Sequence, residues 1–97
     1  MADDAATRKA LQVIPGIGPA MAGDLIALGV QKVSDLRTAV PQELYDRLCR
    51  ITRARQDPCV LYTFRCAVYF AANESHDPEL LKWWNWMDKD PTDRATM

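Results

Sequence analysis

Leu11-Gln-Val-Ile14-Pro15-Gly16-Ile17-Gly18-Pro19-Ala20-Met21-Ala22 is the stretch whose reading decides the fold. Pro15 and Pro19 fix their own φ near the helical value and push Ile14 and Gly18 out of the α region. A helix should therefore stop at about Val13, and a second should restart at Pro19, where the ring is tolerated at the first helical position. Gly16 and Gly18 carry no Cβ, so the link can use positive φ and bring its N–H groups close to another surface. The amides opening the second helix point the same way. Unpaired N–H groups at the positive end of a helix dipole suit an anion, most obviously a phosphate.

Outward from this turn, the apolar spacing reads as helices throughout. Ala5 to Val13 carries Ala6, Ala10, Leu11 and Val13 among Arg8, Lys9 and Gln12, with Asp3 or Asp4 available as a cap. Pro19 to Leu28 places Met21, Ala22, Leu25 and Leu28 at three- and four-residue steps, and Gly29 stands where a left-handed stop is expected. Val30 to Ala39 predicts a short connecting helix. Pro41 opens another, with Leu44, Tyr45, Leu48 and Ile51 on one side. Asp57-Pro58 is a cap followed by a first-turn proline, and Leu61, Phe64, Val68 and Ala71 then form the stripe of a central buried helix. Asp77-Pro78 starts the last helix in the same manner, with Leu80, Trp83, Trp84 and Met87 sharing a face. Residues 91–97 read as a polar, flexible tail. The expectation is one all-α domain over 1–97, ordered from about 4 to 88: a compact bundle of five or six short helices around Val60 to Ala71.

From Leu11 to Leu36 the pattern Leu11-x-x-Ile14-Pro-Gly-Ile-Gly-Pro-Ala-Met-Ala-x-Asp-Leu-x-x-Leu28-Gly-Val30-x-x-Val33-x-Asp-Leu36 resembles the helix-hairpin-helix DNA-binding motif nearly position for position. Glu43 to Cys49, Gln56 to Tyr62, Phe64 to Tyr69 and Leu81 to Trp86 extend the likeness. Over roughly Leu11 to Asp88 the chain resembles a small bacterial family labelled pathogenicity-locus or mitomycin-resistance protein. The resemblance implies sequence-independent DNA binding, with Gly16, Ile17, Gly18, Ala20 and Met21 at backbone phosphates of duplex or structured DNA. It also implies a monovalent K or Na ion held by the carbonyls of Gln12, Ile14 and Ile17.

One departure weakens that contact. Many DNA-binding versions carry Lys or Arg two residues after the second glycine, and here Ala20 and then Met21 follow, so the charge-assisted part is absent. The order of helices also resembles a paired helix-hairpin-helix domain whose second hairpin has decayed into Arg50 to Pro58. Arg50, Arg53 and Arg55 could there follow a phosphate backbone, or form an exposed loop paired with Asp46 and Asp57. Two other functions stay open: a protein-interaction module whose hairpin only joins helices, and a mitomycin-resistance factor that binds the drug.

Composition narrows the classes. A formal charge of −1 and a pI near 5.7 exclude a generally basic, nucleic-acid-coating protein and confine DNA affinity to a local, weak patch. No apolar run approaches the roughly 20 residues that cross a bilayer, and Met-Ala-Asp-Asp does not open a signal peptide, so a cytoplasmic protein without membrane contact is expected. Cys49, Cys59 and Cys66 read as free thiols, and with His76 they lack the spacing of a zinc knuckle. Cys59, in a first helical turn, is the candidate for a lowered thiol pKa and redox sensing. Trp84 and Trp83 are expected in the core, leaving Trp86 to stack on a base or a planar drug. Without a Ser-His-Asp set, a metal-binding His pair or a phosphate loop with lysine, no enzyme is expected.

Overall fold

In the computed structural model, residues 4–87 are described; Asp3 and the tail 91–97 lie outside them, and Asp4, the other expected cap, is the first residue of α1. They form four α-helices and no strand: α1 (Asp4–Leu11), α2 (Pro19–Ala27), α3 (Pro41–Thr52) and α4 (Pro58–Ala72). Three 3₁₀ turns complete the described chain, at Val33–Leu36, Pro78–Leu81 and Trp83–Trp86. The helix count is thus four rather than the five or six expected, because the connecting helix and the last helix are replaced by these turns.

The link between α1 and α2 is a type II turn. The Ile17 amide donates to the Ile14 carbonyl at 3.1 Å, Pro15 takes the second position, and Gly16 takes the third with φ +87°, where a Cβ would be strained. Gly18 caps α2 with extended backbone (φ −91°, ψ −176°), and Pro19 follows as the first helical residue. α2 ends in a Schellman motif: the Gly29 amide donates to the Ile26 carbonyl and the Val30 amide to the Leu25 carbonyl, each at 2.9 Å. Buried Val30 and Leu25 supply the hydrophobic contact that accompanies this motif.

α3 closes with the same pair of bonds, Arg53 to Arg50 and Ala54 to Cys49, but its left-handed residue is Arg53 at φ +54°. α4 then opens on Asp57, whose carboxylate accepts the Cys59 amide at 2.9 Å. Thr63, Phe64, Cys66, Ala67 and Val68 of α4 are all buried, more than one face of a helix, since α4 packs against α3 and all three 3₁₀ turns. Around Phe64 and Ala67 gather Leu11, Ile14, Ile17, Leu25 and Leu28 from the first hairpin, with Leu36, Leu44 and Leu48. Burying each such side chain contributes about 1.5–3 kcal/mol against the entropy of ordering the chain.

Both failed helix expectations have local causes. Between α2 and α3, Lys32 is extended (φ −154°, ψ 162°) and so is Val40, which Pro41 holds out of the α region. Only Val33–Leu36 can coil, tied back by the Asp35 carboxylate to the amides of Gln31 and Lys32 at 2.9 and 3.3 Å. Near the C-terminus, Lys82 is extended and splits the segment in two. The carbonyls of Glu79 and Leu80 then accept side chains, Asn85 Nδ2 at 2.6 Å and Trp86 Nε1 at 2.8 Å, in place of helical amides.

The tryptophans are consequently inverted from the expectation. Trp86 is buried against Tyr69, with ring centroids 5.3 Å apart, and Arg65 Nη1 donates to its carbonyl at 2.7 Å. Trp84 is 51% exposed, and Trp83 is half-buried. A 3.6-residue wheel puts 80, 84 and 87 together; two three-residue turns with a break do not.

Candidate functional site

The α1–α2 turn is anchored from below by buried Ile14 and Ile17 and turns its backbone outward. The first closing bond of α2 runs from the Ala22 amide to the Gly18 carbonyl at 2.9 Å. The amides of Gly16, Gly18, Ala20 and Met21 make no hydrogen bond within the described residues, and Pro19 has none to offer. Of the expected phosphate contacts, Ile17 differs: its amide is used inside the turn and its side chain is buried. It retains a carbonyl, which with that of Gln12 accepts no hydrogen bond from the described residues; the Ile14 carbonyl keeps one lone pair beside its turn bond.

Gly18 is informative because nothing inside the chain requires it. Its φ suits any residue, and a Cβ there would meet nothing within 4 Å. The missing side chain leaves open space above unpaired amides.

A basic group overlooked in the sequence stands beside them. Arg8 Nη1 donates to the Pro19 carbonyl at 2.7 Å, which brings a guanidinium within about one turn of the α2 N-terminus. Gly23 makes the notch it lies in, for a Cβ at Gly23 would come 3.0 Å from Nη1 and 3.2 Å from Nη2. The signal that could have found Arg8 is Gly23 itself, a helix-interior glycine that no turn needs.

On another side of the turn lie α4 and the tryptophan pair. A Cβ on Gly16 would contact Thr63 Cγ2 at 3.5 Å and Trp83 Cδ1 at 3.7 Å. Trp83 in turn meets Trp84 edge-on, with centroids 5.7 Å apart and planes at 86°.

The second cluster is the α3–α4 link. Arg50, Arg53 and Arg55 line one shallow depression of about 520 Å³ with Gln42, Tyr45, Asp46 and Cys49. The Tyr45 hydroxyl donates to the Gln56 carbonyl and ties the link to α3. Among the described residues the only ion pair is Lys82 with Glu79, at 3.0 Å, so the three guanidiniums are not paired with Asp46 and Asp57. Asp46 instead accepts from Gln42 Nε2 at 3.0 Å. Asp57 takes the Cys59 amide through its carboxylate and the Val60 amide through its carbonyl, so this second helix start differs from that of α2 in having its first amides used.

Of the three thiols Cys49 lines the second cluster, and Cys59 and Cys66 do not. The Cys59 thiol is pushed up, by its hydrogen bond with the Asp57 carboxylate, by burial and by the charge of that carboxylate, against the lowering expected from the helix end. Burial pushes Cys66 up to about 11. His76 stacks on Phe70, with centroids 4.6 Å apart, and its Nε2 lies 2.9 Å from the Phe70 carbonyl. Among the described residues no three His, Cys, Asp or Glu side chains gather as a metal site would need, and no helix is long and apolar enough to cross a membrane.

Comparison with known proteins gives one match. The family model described as "Cdd1: Pathogenicity locus" matches residues 4–91. No curated protein and no solved structure matches the chain.

Proposed function

The chain belongs to the pathogenicity locus family, and from that premise we propose that it is a helix-hairpin-helix protein that binds DNA through backbone phosphates without reading sequence. The observation that carries this is Gly18: an extended N-cap with no Cβ, no packing reason to be glycine, and unpaired amides on either side of Pro19. A phosphate oxygen can approach the amides of Gly18, Ala20 and Met21, and Gly16 extends that row. Arg8, held by the Pro19 carbonyl, supplies the cationic charge that Ala20 does not. A K or Na ion on the carbonyls of Gln12, Ile14 and Ile17 would add a second positive charge.

Arg50, Arg53 and Arg55 form the second phosphate contact, with the degenerate hairpin between α3 and α4 as their scaffold. Arg53 is the strongest member. It holds a left-handed conformation in which glycine would cost less, and a non-glycine residue kept there points to a use for its side chain. Each contact is modest, and a net charge of −1 keeps the whole weak.

A titration against duplex, branched and single-stranded DNA at several salt concentrations tests the proposal. The logarithm of affinity should fall linearly with the logarithm of salt, by about 0.9 in slope per phosphate neutralised on duplex, and be indifferent to base sequence. The competing reading, a hairpin facing a protein, draws on Val13, 62% exposed beside buried Ile14. It gains the ground if no DNA is bound at low salt.

A further inference from the structure

The half-exposed tryptophan beside the turn makes one ring contact inside the fold, with Trp83. Trp86 anchors its segment: its indole donates to the Leu80 carbonyl, its ring meets Tyr69, and Arg65 holds the carbonyls of Trp86 and Met87 at 2.7 and 3.2 Å. Trp83 lies between that anchor and the turn, near Thr63 and Gly16. Trp84 is left 51% exposed, its ring edge-on to Trp83. A large flat ring is thus fixed one ring-to-ring step, 5.7 Å, beyond a residue that touches the phosphate-binding turn.

We propose that Trp84 is a stacking platform for one unpaired nucleobase, so that the ligand is DNA with a single-stranded segment next to a duplex end or fork. This deepens the phosphate-binding proposal and rests on it. The turn amides and Arg8 hold the backbone, and the nucleotide leaving the duplex turns its base onto the indole. Bases inside a duplex have no free face, whereas every unpaired base has one, so the contact discriminates DNA structure and not sequence. Position supports this occupant: Trp84 packs on Trp83, whose Cδ1 would stand 3.7 Å from a Cβ on Gly16, so the platform adjoins the turn whose amides are proposed to hold the backbone. An isolated apolar patch would have no such register.

The test compares a blunt duplex with the same duplex bearing a short single-stranded extension, using wild-type protein and the Trp84→Ala and Trp84→Phe variants. Wild type should prefer the extended DNA by about 5- to 100-fold, the range one base–aromatic stack supplies, with quenching of tryptophan fluorescence. Trp84→Ala should remove the preference and leave blunt-duplex affinity within about twofold; Trp84→Phe should restore part of it. Trp84→Ala should still unfold cooperatively, with a melting temperature lowered only by the loss of the half-covered ring and its contact with Trp83. Equal wild-type affinity for both DNAs, or a preference that survives Trp84→Ala, overturns the platform while leaving phosphate binding intact. Binding to neither DNA overturns both. Quenching by free mitomycin, with no response to the extension, overturns the platform in favour of a drug site.

Discussion

Arg8 and Pro19 are joined across the first hairpin by a 2.7 Å hydrogen bond from Nη1 to the carbonyl, and Gly23 makes room for it. Gly23→Ala therefore separates stability from binding. The new Cβ would stand 3.0 Å from Nη1, the far end of a flexible side chain, so the guanidinium must give by a few tenths of an ångström and its bond to Pro19 weakens. Replacing an interior helical glycine by alanine meanwhile gains up to about 1 kcal/mol. Denaturant unfolding should show equal or higher stability, while DNA affinity falls and its salt slope shallows by up to about 0.9, the value of one phosphate contact. An unchanged slope would remove Arg8 from the interface.

Gly18→Asp should likewise raise stability and abolish binding. The backbone at Gly18 already has N-cap geometry, and the space above it is open, so the carboxylate can accept from Ala20 or Met21 as Asp57 accepts from Cys59 on α4. A better cap is worth a few tenths of a kcal/mol, or about 1–4 °C in melting temperature for a chain of this size. The same carboxylate occupies and repels the phosphate position. A loss of at least tenfold in duplex affinity with a raised melting temperature is expected; retained affinity would place the DNA elsewhere.

Arg53→Gly is the parallel experiment on the second cluster. Glycine takes the left-handed position that Arg53 holds at φ +54°, which relieves about 1 kcal/mol of backbone strain, partly offset by the greater freedom of glycine in the unfolded chain. Stability should hold or rise slightly. DNA affinity should fall equally for all sequences, with a salt slope again smaller by about 0.9. Arg53→Lys keeps charge without the planar fork, and should recover part of the affinity.

The parts of this molecule that depend on near neighbours were legible in the sequence. Pro15, Gly16 and Pro19 dictate the first turn, Gly29 the end of α2, and Asp57-Pro58 the start of α4, because each acts through local φ/ψ limits. What escaped depends on chain segments that meet only after folding. Arg8 reaches Pro19 because α1 packs on α2, and nothing in the order of residues ties it to that carbonyl. Trp84 and Trp86 exchanged places because Lys82 breaks the coil and Asn85 and Trp86 take the carbonyls that helical amides would have used. Cys59 went the other way from its helix dipole because the cap that starts the helix is also the nearest negative charge.

Cys66 gives the fold an alkaline limit. Its thiol is buried in α4, its Sγ 3.6 Å from the Leu80 carbonyl, and burial raises its pKa from 9.0 to about 11. Above pH 9 the unfolded chain releases this proton while the folded chain keeps it, so the unfolded state binds fewer protons and stability falls as pH rises. The contribution is fully present below pH 9 and is lost as pH climbs through the folded value near 11. Other groups titrate in the same range, and the Cys66→Ala variant isolates this one. Wild type should lose more unfolding free energy than Cys66→Ala between pH 8 and pH 10.5, even though the variant starts lower for want of the buried sulfur. Parallel losses in the two proteins would mean that the buried thiol does not set the alkaline limit. In native protein at pH 8 a thiol reagent should leave Cys66 unmodified, since neither access nor thiolate is available there.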